Sequence, residues 1–213
     1  MPPQWPKLDP AETLPGAKIQ SGEHYLALAV TGGGYAGQEA QRALFDQVHF
    51  KRVDLSRTCL SEVQWSDARL ESCDLSGVDW EKARLRRVEL IGCRLVGARL
   101  LDAQFDDVLL RDCQSDLALF WSAVCRRVRF EEVRLREASF LKADLSGVVF
   151  RGCDLERADL REVRLPGADL RGSSLNGMQV GLRELQGAII DSTQAIYVAS
   201  LTGVIIRDDA LGQ

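Results

Sequence analysis

Ala68-Arg69-Leu70-Glu71-Ser72-Cys73-Asp74-Leu75-Ser76-Gly77-Val78-Asp79-Trp80 repeats one five-residue rule three times: a small side chain, a spacer, then a large apolar one. Followed outward, the rule holds from Phe45 to Leu175, where every fifth residue is large and apolar at 25 of 27 positions. Ser115 and Cys125 are the exceptions. Two residues before each centre stands a small or slender side chain at all 27 positions, from Ala43, Val48 and Val53 to Ser173.

A helix would scatter residues five apart over all its faces, and a flat strand would send consecutive centres to opposite sides. A chain that turns a corner after each pentad buries the pattern, because each side then sends one large and one small residue inward. Four such sides close a square coil of roughly 20 residues, with coils stacked at about 4.8 Å.

Units such as Cys73-Asp74-Leu75-Ser76-Gly77, Ala143-Asp144-Leu145-Ser146-Gly147 and Ala168-Asp169-Leu170-Arg171-Gly172 resemble those of pentapeptide-repeat proteins. The resemblance implies an all-β fold, a right-handed quadrilateral β-helix. It also implies an interaction protein of the topoisomerase-binding, quinolone-resistance kind, a rod that imitates duplex DNA, binds DNA gyrase or topoisomerase IV and forms a homodimer through its C-terminal segment. Antibiotic resistance would be the associated phenotype.

The expected layout is an N-terminal tail or arm over residues 1–20, a β-helix over 21–190 that is regular over 43–177, and a C-terminal cap and dimer element over 191–213. Five of the six prolines fall in the first segment. In the last, Ser192 or Thr193 is expected to cap a short helix running to about Leu201, Gly203 to stop it, and Val204-Ile205-Ile206 to form a final strand. Ile196, Leu201, Val204, Ile205 and Ile206 are the expected dimer contacts. Arg183 stands where a small inward residue belongs.

No apolar run is long enough to span a bilayer, and the start lacks the layout of a secretory signal. A cytoplasmic protein with no membrane contact is expected. Of the six cysteines, Cys73, Cys93, Cys113 and Cys153 share the small inward position at separations of 20, 20 and 40, with Val133 on the missing rung. They read as slim core fillers. Cys59 falls at an outward position and is the expected reactive thiol.

Gly32, Gly34 and Gly37 form a GxGxxG pattern after the strand-like run Tyr25 to Val30, with Asp54 near the ribose-binding distance. A dinucleotide site would need a helix after those glycines, and a pentad register already running at Ala43 leaves no room for one. His24 and His49 have no ligand-spaced companions. No enzyme activity, cofactor or metal is expected.

Two surface features remain. Asp102, Asp106, Asp107, Asp112 and Asp116 crowd into 15 residues against one base, Arg111, and would form an acidic girdle around one coil. Yet residues 45 to 177 carry 23 acids and 22 bases, so the shaft is nearly neutral, whereas phosphate imitation wants a continuous negative stripe; no direct nucleic-acid partner is expected. Sorted by coil, Ser66-Asp67, Arg86-Arg87, Asp106-Asp107 and Arg126-Arg127 predict an ion-pair ladder up one corner. Asp74, Arg94, Arg134 and Asp154 predict a partial second one. The other feature is apolar: Leu101, Trp121 and Leu141 share one outward corner, with Leu109, Leu117, Leu119 and Val124 nearby. Trp5 of the arm is a candidate cover. This stripe supports the alternative of a scaffold that binds another protein and is unrelated to topoisomerases.

Overall fold

The computed structural model describes residues 10, 11, 14 and 18–205. Strands pair in parallel with partners 20 residues apart: Tyr25 with Phe45, Phe45 with Trp65, Trp65 with Leu85, Leu85 with Phe105, Phe105 with Cys125. On the next face the ladder passes through Ala29, His49, Arg69, Glu89, Leu109, Arg129, Val149, Asp169 and Ile189. At about 4.8 Å per rung this is a rod roughly 38 Å long. The strands Gln64–Glu71, Arg84–Ile91 and Gln104–Arg111 run eight residues each, straight over the corner between these two faces. The other two faces are held by single bridges such as Asp74 to Arg94 and Asp79 to Arg99, apart from the parallel pair of Glu39–Gln41 with Cys59–Ser61.

The core is the pentad read inward. All 27 centres and all 27 small positions of the register are buried, including Ser115 and Thr58. Rings stack where the same column repeats an aromatic: Tyr25 on Phe45 at 4.9 Å, Phe45 on Trp65 at 4.1 Å, Phe120 on Phe140 and Phe130 on Phe150 at 4.8 Å. The two failed centres do not bend the ladder, since the Ser115 N–H donates to Arg134 O at 2.8 Å and that of Cys125 to Asp144 O at 2.9 Å.

Many corners are β-turns closed by the small residue's N–H on the preceding centre's carbonyl, as from Ala83 to Trp80 at 3.0 Å. The residue just before the small one has positive φ at every corner from Gln47 to Gly177, and 19 of those 27 are not glycine. Left-handed backbone costs an L-residue about 1 kcal/mol or more. The ladder on both sides enforces it. Gly32 and Gly37 are two such corners, at φ 75° and 68°, and Tyr35 between them is buried. The segment is therefore solenoid, and the helix a dinucleotide site requires does not follow it.

At the first end, Pro10–Ala11 pairs in parallel with Ala29 and Val30. Leu14 and Ile19 are buried over the first coil, where Tyr35 Oη and Gln38 Oε1 accept their N–H groups, both at 2.8 Å. Trp5 and Ile206 lie outside the described residues.

At the other end the register breaks at residues 182–187, which form turns, and Arg183 is exposed instead of pointing inward. A guanidinium has no partner in that core, so the side gives way. The helix spans Ser192–Ser200, and its N-cap is Asp191 rather than Ser192 or Thr193. Asp191 Oδ1 accepts from Gln194 N at 2.9 Å while Gln194 Oε1 accepts from Asp191 N at 3.0 Å, the reciprocal arrangement of a capping box. A hydroxyl one residue later could not close that pair. Val204 and Ile205 are not in a strand. The helix already engages the open end of the last coil, where Gln194 Nε2 donates to Leu170 O at 2.6 Å and Ser173 O at 2.8 Å. Those carbonyls are not left for a further strand.

Candidate functional site

The cysteine column is structural. Cys73, Cys93, Cys113 and Cys153 are buried, and each Sγ donates to a carbonyl of the coil below, Cys93 to Leu70 O and Cys113 to Leu90 O at 3.3 Å. Burial pushes the thiol of Cys153 up to about 11 and that of Cys125 to about 12. Cys59 is exposed, but partial burial and the carboxylates of Asp79 and Glu39 push its thiol up as well, which depletes the thiolate a reactive cysteine needs. Among the described residues no three His, Cys, Asp or Glu side chains form a metal-binding group. No described helix is long and apolar enough to cross a membrane.

The charged surface is largely self-compensated. Arg87 binds Asp67 through two hydrogen bonds of 2.6 and 2.5 Å, and this holds the Asp67 carboxyl below its ordinary value. Two rungs higher, Arg127 engages both Asp106 and Asp107. The expected corner ladder thus forms only at alternate steps, because no ion pair joins Arg86 or Arg87 to Asp106 or Asp107. The second row differs: Asp74 accepts from the Ser76 N–H of its own turn, Arg134 reaches diagonally to Asp116, and Asp154 is taken by Arg136. Side chains next to a corner fan sideways as readily as they reach straight up, so the column rule fails there.

Of the five girdle residues, Asp102, Asp107 and Asp112 occupy successive left-handed corners of one coil. Asp106, Asp107 and Asp116 are ion-paired, whereas Asp102 and Asp112 make no ion pair among the described residues. The apolar stripe is narrower than the sequence implies. Trp121 is 41% exposed and its indole N–H donates to Ser139 Oγ at 2.8 Å, but Leu101 and Leu141 are half-buried. Leu109 is buried, standing in register between Glu89 and Arg129, whose long stems flank it. Leu117 is 52% exposed.

Among the described residues, large exposed apolar side chains gather toward the C-terminal end: Leu182, Ile189, Ile196, Val204 and Ile205 are exposed, the last at 78%, while Leu201 is half-buried. Sequence reasoning missed the residues that fix this end. Tyr197 donates to Met178 O at 2.5 Å, and Asp191 Oδ2 accepts from Gly172 N at 2.9 Å. The Asp191-x-x-Gln194 spacing was the available signal.

Such a molecule is a four-sided parallel β-solenoid with its own N-terminal residues over one end and a short helix over the other. The chain belongs to the pentapeptide-repeat family: the family model "Pentapeptide repeat region" matches residues 43–114 and 63–140, and "Pentapeptide repeats (8 copies)" matches 142–177. Trypsin-treated QnrB1, a plasmid-mediated fluoroquinolone resistance protein, is similar in fold at 24% identity and TM-score 0.61, over 86% of this chain and 99% of that one. HetL, a pentapeptide-repeat protein involved in heterocyst differentiation regulation in the cyanobacterium Nostoc, is 25% identical with a TM-score of 0.48, over 82% of this chain and 91% of that one. No curated protein matches the sequence.

Proposed function

We propose that this protein is a non-enzymatic interaction rod that pairs with a second copy through its C-terminal end, and that the paired rod docks on a type II topoisomerase, gyrase or topoisomerase IV, in place of duplex DNA. The observation that carries the pairing is the apolar end: Leu182, Ile189, Ile196, Val204 and Ile205 all face solvent within 24 residues of chain. A soluble surface seldom leaves so much apolar area together without a contact. Two rods end to end would span about 76 Å at the rung spacing. The uncompensated acids Asp102 and Asp112 are the contacts offered to the enzyme's DNA-binding groove, whose basic surface gains affinity from negative charge.

Sedimentation equilibrium tests the pairing: the native chain should be dimeric and Ile196→Asp with Ile205→Asp monomeric, and a monomeric native chain would reject it. Gyrase supercoiling and drug-induced cleavage assays test the docking, which is wrong if a large excess of the dimer changes neither. The scaffold alternative is favoured by one observation, the exposed Trp121. It predicts that Trp121→Ser abolishes binding to a non-topoisomerase partner.

A further inference from the structure

Most arginines on the shaft hold a carboxylate, but three that converge on one groove do not. The groove lies on the face of the long strands, between two columns of outward side chains: Gln64, Arg84 and Gln104 on one bank, Arg86, Asp106 and Arg126 on the other. It encloses about 390 Å³. Arg84, Arg86 and Arg126 are all exposed and make no ion pair among the described residues. The nearby carboxylates are engaged elsewhere. Asp106 is held by Arg127, Asp67 by Arg87, and Asp144 by the N–H and hydroxyl of Ser146, with Arg164 at 3.8 Å. Three guanidiniums therefore face one cleft without an ion-pair partner, since Asp106, the one carboxylate in its lining, is already held by Arg127.

We infer that this groove is a docking site for an extended acidic peptide segment of a partner protein. Ladder geometry sets the spacing. Arg84 and Arg86 are two residues apart on one strand, about 6.6 Å, and Arg126 stands two rungs above Arg86, about 9.6 Å. An extended peptide places the side chains of one face two residues apart, about 6.6 Å, which fits Arg84 and Arg86, and Arg126 stands above that line. Gln64 and Gln104 offer both donors and acceptors, as peptide amides require, and each guanidinium offers a paired fork to a carboxylate. A nucleic-acid backbone is the poorer occupant, because its affinity draws on many phosphates along a continuous basic track, and here the positive charge stops after three residues. The inference is independent of the topoisomerase reading, which uses the acidic corners and the C-terminal end.

The test is fluorescence anisotropy of the full-length chain with a labelled Glu-Ser-Glu-Ser-Glu-Ser peptide. Controls are the same peptide with Gln for Glu, and a deoxythymidine decamer. Saturable binding of the Glu peptide is expected, weakened by salt as exposed charge pairs are, with no binding of the Gln peptide. Arg86→Gln should weaken it about tenfold and the variant carrying Arg84→Gln, Arg86→Gln and Arg126→Gln should remove it, while Arg94→Gln on another face should not change it. Circular dichroism of each variant verifies the fold. The inference is overturned if the Glu peptide does not bind, if the triple variant binds it as well as the native chain, or if the deoxythymidine decamer binds more tightly.

Discussion

Ser115→Leu should make the protein more stable, although it triples the size of a fully buried side chain. Ser115 is completely inaccessible, its Oγ has no hydrogen-bond partner, and the same column carries Leu95 one coil below and Leu135 one coil above. The rung cannot collapse onto the small residue, because its backbone is hydrogen-bonded in both directions, Leu95 N to Gln114 O at 2.6 Å and Ser115 N to Arg134 O at 2.8 Å. Removing an unsatisfied buried hydroxyl is worth about 1–3 kcal/mol. The three further carbons of leucine over alanine add about 2.4 kcal/mol at 0.8 per buried carbon. With some of the space already taken up by neighbours, a gain of about 3 kcal/mol is the working figure, and Ser115→Ala should give roughly the first part alone. Denaturant unfolding followed by circular dichroism measures both, and the melting temperature of Ser115→Leu should rise by about 6–10 °C. If Ser115→Leu destabilises the chain while Ser115→Ala is neutral, there is no underfilled space at this level and the column argument is wrong.

Gln194→Ala should cost about 2 kcal/mol by releasing the Leu170 and Ser173 carbonyls, and hydrogen exchange of residues 170–200 should rise before that of the shaft. The Asp191 carboxyl is held low first by the Gly172 N–H and then by the Gln194 N–H. Its contribution is therefore complete above the unfolded value near 3.9 and is lost as pH falls through the lower folded value. Exchange protection of the helix should weaken below about pH 4 ahead of global unfolding, and Asp191→Ala should show no such step. Asp67→Asn should change stability by no more than about 1 kcal/mol, since its pair with Arg87 is more than a third exposed on the arginine side and solvent-screened. In native buffer a thiol reagent should label Cys59 alone, more slowly than a free cysteine at pH 8, and reach the other five only in denaturant.

The inward half of this structure was legible because burial is a strict filter: both side chains that each pentad sends to the axis carry a size and polarity signature, and the cysteine column follows from them. The corner pairs Asp67 with Arg87 and Asp107 with Arg127 were legible because their column is straight. The left-handed corners were not, since Arg52, Glu62, Asp102 and Lys142 occupy them as readily as Gly77 does, and the constraint comes from the neighbouring coils rather than from the residue. The burial of Leu109 depends on stems from the coils above and below, which a period-of-five reading treats as outward. The cap was legible only in part. Asp191 and Gln194 are close in sequence, but the carbonyls that Gln194 satisfies lie more than 20 residues away.

The straight, uninterrupted pentad ladder makes the chain a screw as well as a rod. Each pentad advances it by about 1.2 Å, a quarter of the rung spacing, and swings all that follows through a quarter turn. Loss or duplication of a single pentad would therefore keep the inward alternation of small and large side chains and barely alter the length, while re-pairing the columns of the coils on either side of the change. It would turn the apolar C-terminal end by 90° relative to the arginine groove and the acidic corners. In this architecture insertions in multiples of five set the angle between binding surfaces, and only multiples of twenty change reach without changing direction.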